Sequence, residues 1–229
     1  TVIMVGYPSV GKSTLLNKIT NANSPVGNYA FTTLTCIPGL LEYKNAKIQV
    51  LDVPGVIEGA SSGRGRGKEV LACAQSADLV MITVDVFTAT KIEPLIQELY
   101  DVGLRLNQKP ADVKIQKDAR GGIKIGSTLK LTKIDNKTIE GILQEFRINN
   151  CTITIREDIT PEQLIDVIEK NKKYVPAFTV VNKIDMISKK ELDKIKKNVN
   201  PDIMISADHD LNTEKLKDMI FKKLNLIRI

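Results

Sequence analysis

The amino-acid sequence predicts an α/β fold, in which a mostly parallel β-sheet has helices on both faces and carries an inserted α+β subdomain. Two observations support this. Short apolar runs alternate with segments whose apolar residues recur every three or four positions, a pattern typical of strands and helices in a parallel sheet. Residues 108–175 then interrupt that alternation.

The alternating part contains five predicted strands and four predicted helices. The strands are 1–5, 48–51, 79–85, 177–181 and 203–205, and the helices are 12–19, 92–102, 189–197 and 213–224. In the second helix Ile92, Leu95, Ile96 and Leu99 share one face, because they are three and four residues apart. These segments predict one domain made of residues 1–107 and 176–229.

The interrupting stretch has predicted elements of its own. After Pro110 it shows a strand-like run at 123–131, a helical run at 137–146, an alternating strand at 151–156 and a helix at 160–171. Thr160 is suited to cap that last helix, with Pro161 as its first residue. A stretch of about 65 residues is too long for a loop inside a compact domain. Residues 108–175 are therefore predicted to be an inserted subdomain.

Composition excludes several classes of protein. Hydrophobic residues make up 42% and charged residues 26% of the chain, which argues against a disordered, collagen-like or disulfide-dense protein. No apolar stretch approaches the ~18 residues of a membrane helix, and the first residues show no signal-peptide pattern. We therefore expect a cytoplasmic chain. Cys36, Cys73 and Cys151 are far apart and form no C-x-x-C pair, so they are interpreted as three separate core residues.

The net charge of +6 lies in the second half of the chain, since residues 1–107 balance. This bias is compatible with an anionic partner such as RNA, and equally with solvated lysines. The lysines within 189–197 are interpreted as a solvated helical face, with ribosomal RNA contact as the alternative. The single histidine, His209, lies in a polar stretch, and no acid/base role is predicted for it.

A phosphate-binding loop is predicted directly after the first strand. The run GYPSVGKS matches G-x-x-x-x-G-K-[ST] and is followed at once by a helical pattern. Such a loop wraps backbone N–H groups around phosphates, and Lys12 neutralises the outer ones while Ser13 ligates Mg²⁺. This predicts a P-loop NTPase. The residues expected to bind the nucleotide here are Gly6, Pro8, Ser9, Val10, Gly11, Lys12, Ser13 and Thr14.

A second pattern indicates which base is bound. Asn182, Lys183 and Asp185 follow a buried strand, at the strand end where open α/β sheets bind ligands. A carboxylate at Asp185 can accept hydrogen bonds from guanine N1–H and its exocyclic amine, which adenine does not offer in that pattern. Ser206 and Ala207, after the last strand, supply a backbone amide for the guanine oxygen. We therefore expect GTP and GDP as ligands.

The sequence also contains a similar run, Thr132-Lys133-Ile134-Asp135, inside the inserted segment. Because no Ser-Ala pair follows it after a strand, it is interpreted as a surface hairpin or turn.

Residues between the two motifs complete the predicted site. Asp52 and Gly55 form a D-x-P-G turn, in which Asp52 holds Mg²⁺ through water and Gly55 donates its N–H to the γ-phosphate. Thr33 is the preferred further Mg²⁺ ligand, with Thr32 next. Lys12, Thr33 and Gly55 are therefore the predicted catalytic residues, and Ser13, Thr33 and Asp52 the predicted metal ligands. The glycine-rich stretch from 55 to 67 is expected to be ordered by the γ-phosphate and released after hydrolysis.

Together these motifs resemble those of the Obg superfamily of GTPases, and most closely its DRG branch. The resemblance rests on GYPSVGKS, YAFTTLTCIPG, LDVPGVIEGAS with its GRGRG tail, NKID and SA. Within the insert, GGI, STLKLTKID and REDITPEQLIDVIEKNKKYVP are similar to the family's inserted β-α-β unit, which resembles a ribosomal-protein fold. The resemblance implies a translation-associated switch that acts with ribosomes. It also implies an N-terminal helical region and a C-terminal TGS domain, neither of which is present in this sequence, so we expect the chain to be a fragment.

The sequence departs from Ras-like GTPases after the D-x-P-G turn. In Ras-like GTPases a glutamine at this position orients the attacking water. This chain has Val56 instead, and its side chain makes no hydrogen bond. Slow hydrolysis is predicted, with Thr32, Thr33, mobile backbone groups, a monovalent cation or a partner positioning the water. The resemblance implies K⁺ stimulation, but Ser9 replaces the loop asparagine of many K⁺-dependent relatives. Arg64 and Arg66 are interpreted as solvated or RNA-facing residues rather than arginine fingers.

The expected partners are GTP or GDP, a ribosome or RNA, and a regulatory protein, but neither a membrane nor DNA. Two other functions stay open: a GTP-dependent recruitment module with negligible hydrolysis, and an ATP-using P-loop kinase.

Overall fold

The computed structural model describes residues 1–20, 36–53 and 67–226. The chain divides into two compact units, the first made of Thr1–Asn107 with Val175–Ile229 and the second of Gln108–Tyr174. In the described ranges no helix is both long and apolar enough to cross a membrane.

The secondary structure alternates along most of the chain. The strands are β1 (Val2–Val5), β2 (Ile37–Tyr43), β3 (Ala46–Asp52), β4 (Leu79–Asp85), β5 (Leu104–Leu106), β6 (Val113–Lys117), β7 (Ile123–Ser127), β8 (Cys151–Ile155), β9 (Lys173–Val175), β10 (Ala177–Asn182) and β11 (Ile203–Met204). The helices are α1 (Lys12–Ile19), α2 (Gly67–Gln75), α3 (Ile92–Asp101), α4 (Asn136–Glu145), α5 (Pro161–Glu169), α6 (Lys189–Val199) and α7 (Thr213–Lys223).

The first unit is built on a six-stranded sheet with the order β11-β10-β4-β1-β3-β2. Its strand pairs are parallel except for β2, which runs antiparallel to β3 at the edge. Every residue of β1 and β4 is buried, as expected for central parallel strands with both faces covered. The predicted mostly parallel α/β sheet is confirmed.

Helices cover both faces of this sheet. Val2 and Met4 belong to one apolar cluster with residues of α1 and α7, whereas Ile3 and Val5 belong to another with residues of α2 and α3. Helix α6 packs its partly buried apolar residues on the second cluster. The alternation along β1 therefore directs neighbouring side chains to opposite layers.

Strand β2 is absent from the sequence prediction because its residues Pro38 and Gly39 are typical of turns. An edge strand tolerates both residues. Gly39 is also required by packing, since a Cβ there would lie 2.8 Å from side-chain atoms of Leu16 and Thr20. The hairpin to β3 turns at Lys44 and Asn45, both with positive φ, the geometry of the tight turns that suit antiparallel strands.

The second unit is a three-stranded sheet, ordered β6-β8-β7, with two helices on one face. Cys151, Ile153 and Ile155 of β8 share an apolar cluster with residues of α4 and α5. Thr160 caps α5, as predicted, and forms a capping box with Gln163. Strand β6 was not predicted, because its residues are only partly buried or exposed and show no buried apolar run.

One prediction about local structure is wrong: Cys36 and Cys73, predicted to be separate core residues, are paired as a disulfide. The run 132–135 lies outside helices and strands and is mostly exposed, which agrees with the predicted surface turn. Its last residue, Asp135, is the N-cap of α4 and accepts a hydrogen bond from Thr138 N at 2.7 Å. The two cysteines lie 37 positions apart in sequence, but β2 and α2 bring them together on the same face of the sheet. Cys151 is free and buried.

Candidate nucleotide-binding site

Four parallel strands end at the same edge of the first unit's sheet, and the predicted site residues follow them. The register pairs Met4 of β1 with Asp52 of β3, and Asn182 of β10 with Asp85 of β4. Since β4 also pairs with β1, the predicted phosphate loop, metal ligand and base reader meet at this edge.

The loop between β1 and α1 has a shape that requires two of its glycines. Gly11 has φ +88°, a conformation that residues with a Cβ rarely adopt, and a Cβ there would lie 2.5 Å from Asn182 Nδ2. A Cβ on Gly6 would overlap the carbonyl oxygen of Thr83 in β4. The loop backbone therefore packs directly on β4 and on Asn182.

Helix α1 begins at this loop without a side-chain cap. Gly11 is its N-cap residue, and no acidic residue lies in its first turn. The first N–H groups of a helix have no partners within the helix, and its dipole leaves them partly positive. The start of α1 is therefore suited to bind an anion such as phosphate.

Lys12 lies inside the loop. Its side chain is 7% exposed, and Nζ donates hydrogen bonds to the carbonyl oxygens of Gly6 at 3.1 Å and Tyr7 at 2.9 Å. Burial lowers the pKa of Lys12, and the charge of Asp52 partly opposes this effect. The ammonium group thus stands beside the uncapped end of α1, ready to meet negative charge.

Ser13 and Asp52 form the part of the site that fits a divalent cation. Ser13 Oγ donates a hydrogen bond to Asp52 Oδ2 at 2.7 Å. Asp52 is 3% exposed, and its buried Oδ1 has no hydrogen-bond partner in the part of the chain that the structure describes. A buried, unpartnered carboxylate oxygen next to a hydroxyl is an oxygen donor set of the kind that Mg²⁺ prefers. Across the described ranges no three His, Cys, Asp or Glu side chains cluster in a way that could hold a metal ion.

Asn182 joins three segments of the site. It is 2% exposed; its Nδ2 donates to the Val10 carbonyl at 3.0 Å, and its Oδ1 accepts from Ala207 N, also at 3.0 Å. The Ala207 amide was expected to contact the guanine oxygen, whereas in this structure it is bound to Asn182. Asn182 therefore has an architectural role that the sequence did not reveal.

Lys183 bridges the phosphate loop and β4. Its backbone is left-handed, and its Nζ donates to the Ser9 carbonyl at 2.6 Å and to Asp85 Oδ2 at 2.9 Å. The other oxygen of Asp85 accepts hydrogen bonds from the backbone N–H groups of Phe87 and Thr88 and from the Thr88 hydroxyl. Burial opposes ionisation of Asp85, but the bonds from Lys183 and Thr88 outweigh it and lower the pKa of this carboxyl.

Asp185, the predicted base reader, keeps its side chain 22% exposed. A hydrogen bond from Ser206 is the largest influence on it and lowers the pKa of Asp185, so the carboxylate stays ionised near neutral pH. His209 Nε2 lies 3.5 Å from Asp185 Oδ2. The carboxylate is thus a charged acceptor at the rim of the site.

Two adjoining cavities open at this edge, of about 440 Å³ and 430 Å³. Such volumes are typical of sites for small molecules. The first is lined by Ser9, Gly11, Lys12, Ser13, Thr14, Ile37, Asp52, Asn182, Lys183 and Asp208, and the second by Ser13, Thr14, Asn17, Lys18, Ala207 and Asp208. The two cavities share Ser13, Thr14 and Asp208, and the candidate phosphate loop and metal ligands line the first; Asp185 lines neither.

Some predicted site residues lie outside the described residues. These are Thr33 and Gly55, together with Thr32, Val56, Arg64 and Arg66. Among the predicted site residues that the structure describes, Pro8 is exposed. Val10 is buried, and its carbonyl accepts a hydrogen bond from Asn182 Nδ2.

The structure adds three residues that sequence reasoning missed. Asp85 anchors Lys183, His209 lies beside Asp185, and Asp208 lines both cavities. For Asp85 a signal was available, since an aspartate at a strand end with a threonine three residues later is typical of a side-chain-capped turn. Its partnership with Lys183 depends on which strands are neighbours, and a single sequence does not give this.

Comparison with known proteins agrees with this geometry. The chain matches the family model described as "50S ribosome-binding GTPase" over residues 1–117. It also matches the model described as "C-terminal region of MMR_HSR1 domain" over residues 120–226. The chain belongs to the MMR_HSR1 family of GTPases.

Relatives of this MMR_HSR1 protein carry DRG names, which confirms the resemblance drawn from its motifs. An uncharacterized GTP-binding protein of Methanocaldococcus jannaschii is 54% identical over 100% of this chain and 60% of its own length. Developmentally-regulated GTP-binding protein 1 of Xenopus laevis is 46% identical over 98% of this chain and 61% of its own length. Ribosome-interacting GTPase 1 of Saccharomyces cerevisiae is 45% identical over 100% of this chain and 62% of its own length. The chain thus spans less than two thirds of the length of these relatives.

Two solved structures resemble this chain with TM-scores below 0.5. Era of Aquifex aeolicus, bound to GDP and AlF₄⁻, has a TM-score of 0.47 at 21% sequence identity. The match covers 97% of this chain and 56% of the Era chain. A probable GTP-binding protein engB has a TM-score of 0.44 at 18% identity and covers 98% of both chains.

Proposed function

We propose that this chain binds GTP and GDP with Mg²⁺ and hydrolyses GTP slowly. One observation carries the proposal: the side chains of Asn182 and Lys183 are hydrogen-bonded to the carbonyls of Val10 and Ser9. The base-reading segment is therefore fastened to the phosphate loop. A ligand that contacts both the base-reading segment and the phosphate loop must present a purine and a phosphate chain at a fixed separation.

Preference for guanine follows from the charge of Asp185. An ionised carboxylate only accepts hydrogen bonds, and guanine offers two donors on one edge. Adenine would leave the carboxylate facing an unmatched edge, which costs free energy. The lowered pKa of Asp185 keeps this acceptor charged near neutral pH.

Phosphate binding is assigned to the loop and to the start of α1. Lys12 exchanges its bonds to the Gly6 and Tyr7 carbonyls for phosphate oxygens, and the N–H groups of the first turn donate to the same anion. Ser13 and Asp52 hold Mg²⁺, which when bound neutralises charge on the phosphates. These groups already lie together in the structure, and on binding Lys12 and Ser13 would exchange their present hydrogen bonds for the ligand.

Slow turnover is proposed because of Val56. A valine side chain neither donates nor accepts a hydrogen bond, so it cannot orient the attacking water as a glutamine does. The water is instead positioned by Thr33 or Thr32, by backbone groups of the glycine-rich segment, by K⁺ or by a partner. If none of these acts, the chain is a GTP-dependent recruitment module.

We further propose that the protein acts as a switch at the ribosome, in the cytoplasm, with Gln108–Tyr174 as an inserted subdomain. A yeast relative is named as ribosome-interacting, and the matching family model is described as ribosome-binding. The net charge of +6 is compatible with an anionic partner.

Calorimetry with Mg²⁺ tests the nucleotide assignment. GDP and GTP are expected to bind, and ATP to compete weakly. Asp185→Ala should remove the preference for guanine. Asp135→Ala serves as the matched control, because it removes an aspartate of the other T/N-K-x-D run and should cost only the capping of α4. Absence of heat from both guanine nucleotides, with folded protein, would contradict the proposal.

Single-turnover hydrolysis tests the catalytic assignment. The rate is measured with and without ribosomes, and in KCl against NaCl at equal ionic strength. A low intrinsic rate that ribosomes increase supports the switch. A rate equal to uncatalysed GTP under both conditions favours the recruitment module, and equal rates in the two salts remove K⁺ from the mechanism.

A further inference from the structure

We propose that His209 covers one carboxylate oxygen of Asp185 and that guanine displaces it on binding. His209 acts through the base reader and is therefore a specificity-determining residue, without any part in the chemistry of hydrolysis. This inference rests on the proposed binding of guanine nucleotides and deepens it. His209 is the single histidine of the sequence.

His209 is held in a short turn after the last strand of the sheet. Ser206 and Leu211 close this turn with two backbone hydrogen bonds, at 3.1 Å and 3.0 Å. Inside the turn, the backbone N–H of His209 donates to Ser206 Oγ at 3.2 Å. Asp210, the next residue, forms an ion pair with Lys18 of α1 at 3.6 Å. The backbone that carries the imidazole is therefore fixed at both ends.

The turn that carries Asp185 lies against the same strand end. Ile184 N donates to the carbonyl oxygen of Ile205 at 3.2 Å, so the two turns are side by side. Ser206, which is fully buried, donates its hydroxyl to Asp185. His209 Nε2 lies 3.5 Å from Asp185 Oδ2, and 65% of the histidine side chain is exposed. The carboxylate thus lies between a buried donor and an exposed one.

This contact requires a proton on Nε2. An ionised carboxylate only accepts hydrogen bonds, and a ring nitrogen without a proton would meet it lone pair to lone pair. Asp185 is ionised near neutral pH, because the hydrogen bond from Ser206 and, to a smaller extent, the charge of His209 lower its pKa. One oxygen of the base reader therefore already faces an N–H donor.

Guanine needs the oxygen that His209 faces. Its N1–H and its exocyclic amine are two adjacent donors, one for each oxygen of a carboxylate. Asn182 and Lys183 line the first cavity, whereas Asp185 lines neither of the two. In this structure the carboxylate is therefore directed to His209, and guanine has to replace that contact. Hypoxanthine lacks the exocyclic amine, so it can use the other oxygen and leave His209 in place.

The opposite role, in which His209 holds Asp185 in position for the base, predicts the reverse result. The buried hydroxyl of Ser206 already orients the carboxylate. An imidazole that is 65% exposed adds little further restraint, because water competes for its contact. Removal of a holding residue would weaken binding, whereas removal of a covering residue strengthens it.

The test compares GDP with inosine diphosphate, whose base is hypoxanthine. Both are titrated calorimetrically, with Mg²⁺, into the wild type and into His209→Ala. The variant should bind GDP about 2-fold to 5-fold more tightly, the range that the loss of a competing exposed ion pair allows. Its affinity for inosine diphosphate should be unchanged. The ratio of the two affinities removes any effect on the shared phosphate chain.

Leu211→Ala is the matched control. It shortens another exposed side chain of the same turn and keeps the backbone bonds to Ser206, so the ratio should equal that of the wild type. Nuclear magnetic resonance gives a second measurement, since the imidazole signals of a single histidine are assigned at once. GDP should shift these signals more than inosine diphosphate does, because only GDP takes Oδ2 from His209.

A lower GDP affinity in His209→Ala would overturn the proposal, because it would show that the histidine supports the base reader. So would an unchanged ratio, an equal change in Leu211→Ala, or equal imidazole shifts with both nucleotides. With GDP binding by the wild type intact, any of these results defeats this inference alone. Absent GDP binding by the folded wild type defeats the proposed function.

Discussion

Asp85→Asn is the substitution that best tests the link between base reader and phosphate loop. The amide keeps the shape of the carboxylate and an oxygen for the turn at Phe87 and Thr88. It removes the charge that Lys183 Nζ meets at 2.9 Å. The Asp85 side chain is 8% exposed and that of Lys183 23%, so the ion pair is largely shielded from water.

The structure sets the size of the effect. A hydrogen bond to a charged group contributes about 1.5–3 kcal/mol, so the free energy of unfolding should fall by that amount. In the wild type Lys183 is already fixed before nucleotide arrives. A freed lysine must give up about 2 kcal/mol of rotamer entropy on binding, which corresponds to a loss of GDP affinity of up to about 30-fold. Because the pKa of Asp85 is lowered, both effects should be constant from neutral pH down to about pH 5.

The assays are urea unfolding and titration with a fluorescent GDP analogue. Thr88→Val is the matched control, since it removes the 2.8 Å bond to Asp85 Oδ1 and leaves the bond to Lys183. It should cost about 1 kcal/mol of stability and leave GDP affinity within about twofold. If both variants lose GDP affinity equally, or neither does, then Asp85 acts only through the turn and the argument fails.

Two further predictions concern the loop and the hairpin. Gly11→Ala places a Cβ at φ +88° and 2.5 Å from Asn182 Nδ2, so stability should fall by about 2–4 kcal/mol in urea unfolding and GDP affinity by more than about tenfold. Gly141→Ala in α4, where a Cβ meets nothing within 4 Å, should instead stabilise by about 1 kcal/mol, and equal losses in both variants would refute the strain argument. Hydrogen bonds from Lys222 and Lys44 lower the pKa of Asp218 from 3.8 to about 2. The ionised carboxylate therefore stabilises the fold above about pH 4, and this contribution is lost as the pH falls towards 2. Acid unfolding of Asp218→Asn should therefore be less steep between pH 4 and 2 than that of the wild type, and identical curves would show that the pair does not form in solution.

The candidate site could be predicted where its chemistry is local in sequence. The phosphate loop needs glycines at fixed spacing before a helix, and Asp52 and Asp185 each follow a recognisable strand. Asp85 and His209 could not be found in this way, since their roles depend on neighbours 98 and 24 positions distant in the chain. The contact of the Ala207 amide with the side chain of Asn182 was missed for the same reason, and the role predicted for this amide at the guanine oxygen stays a prediction.

The same distinction between local pattern and tertiary context holds for the elements of the fold. Helices such as α3 and α7 and buried strands such as β4 were predicted because periodicity and burial are encoded within each segment. Strand β2 carries turn residues that an edge position permits, and the capping of α4 by Asp135 is seen only in its contact with Thr138 N.

The sequence by itself determined the alternation of strands and helices, the glycine spacing of the loop before α1, the position of Asp185 after a buried strand and the valine that follows the D-x-P-G turn. These features depend on residue types at short spacing, where backbone geometry follows from local chemistry. Only the tertiary structure decided that Lys183 pairs with Asp85, that Cys36 lies next to Cys73, and that Asn182 contacts both Val10 and Ala207. The physical reason is that strand order brings distant segments together, and local patterns carry no information about which strands become neighbours.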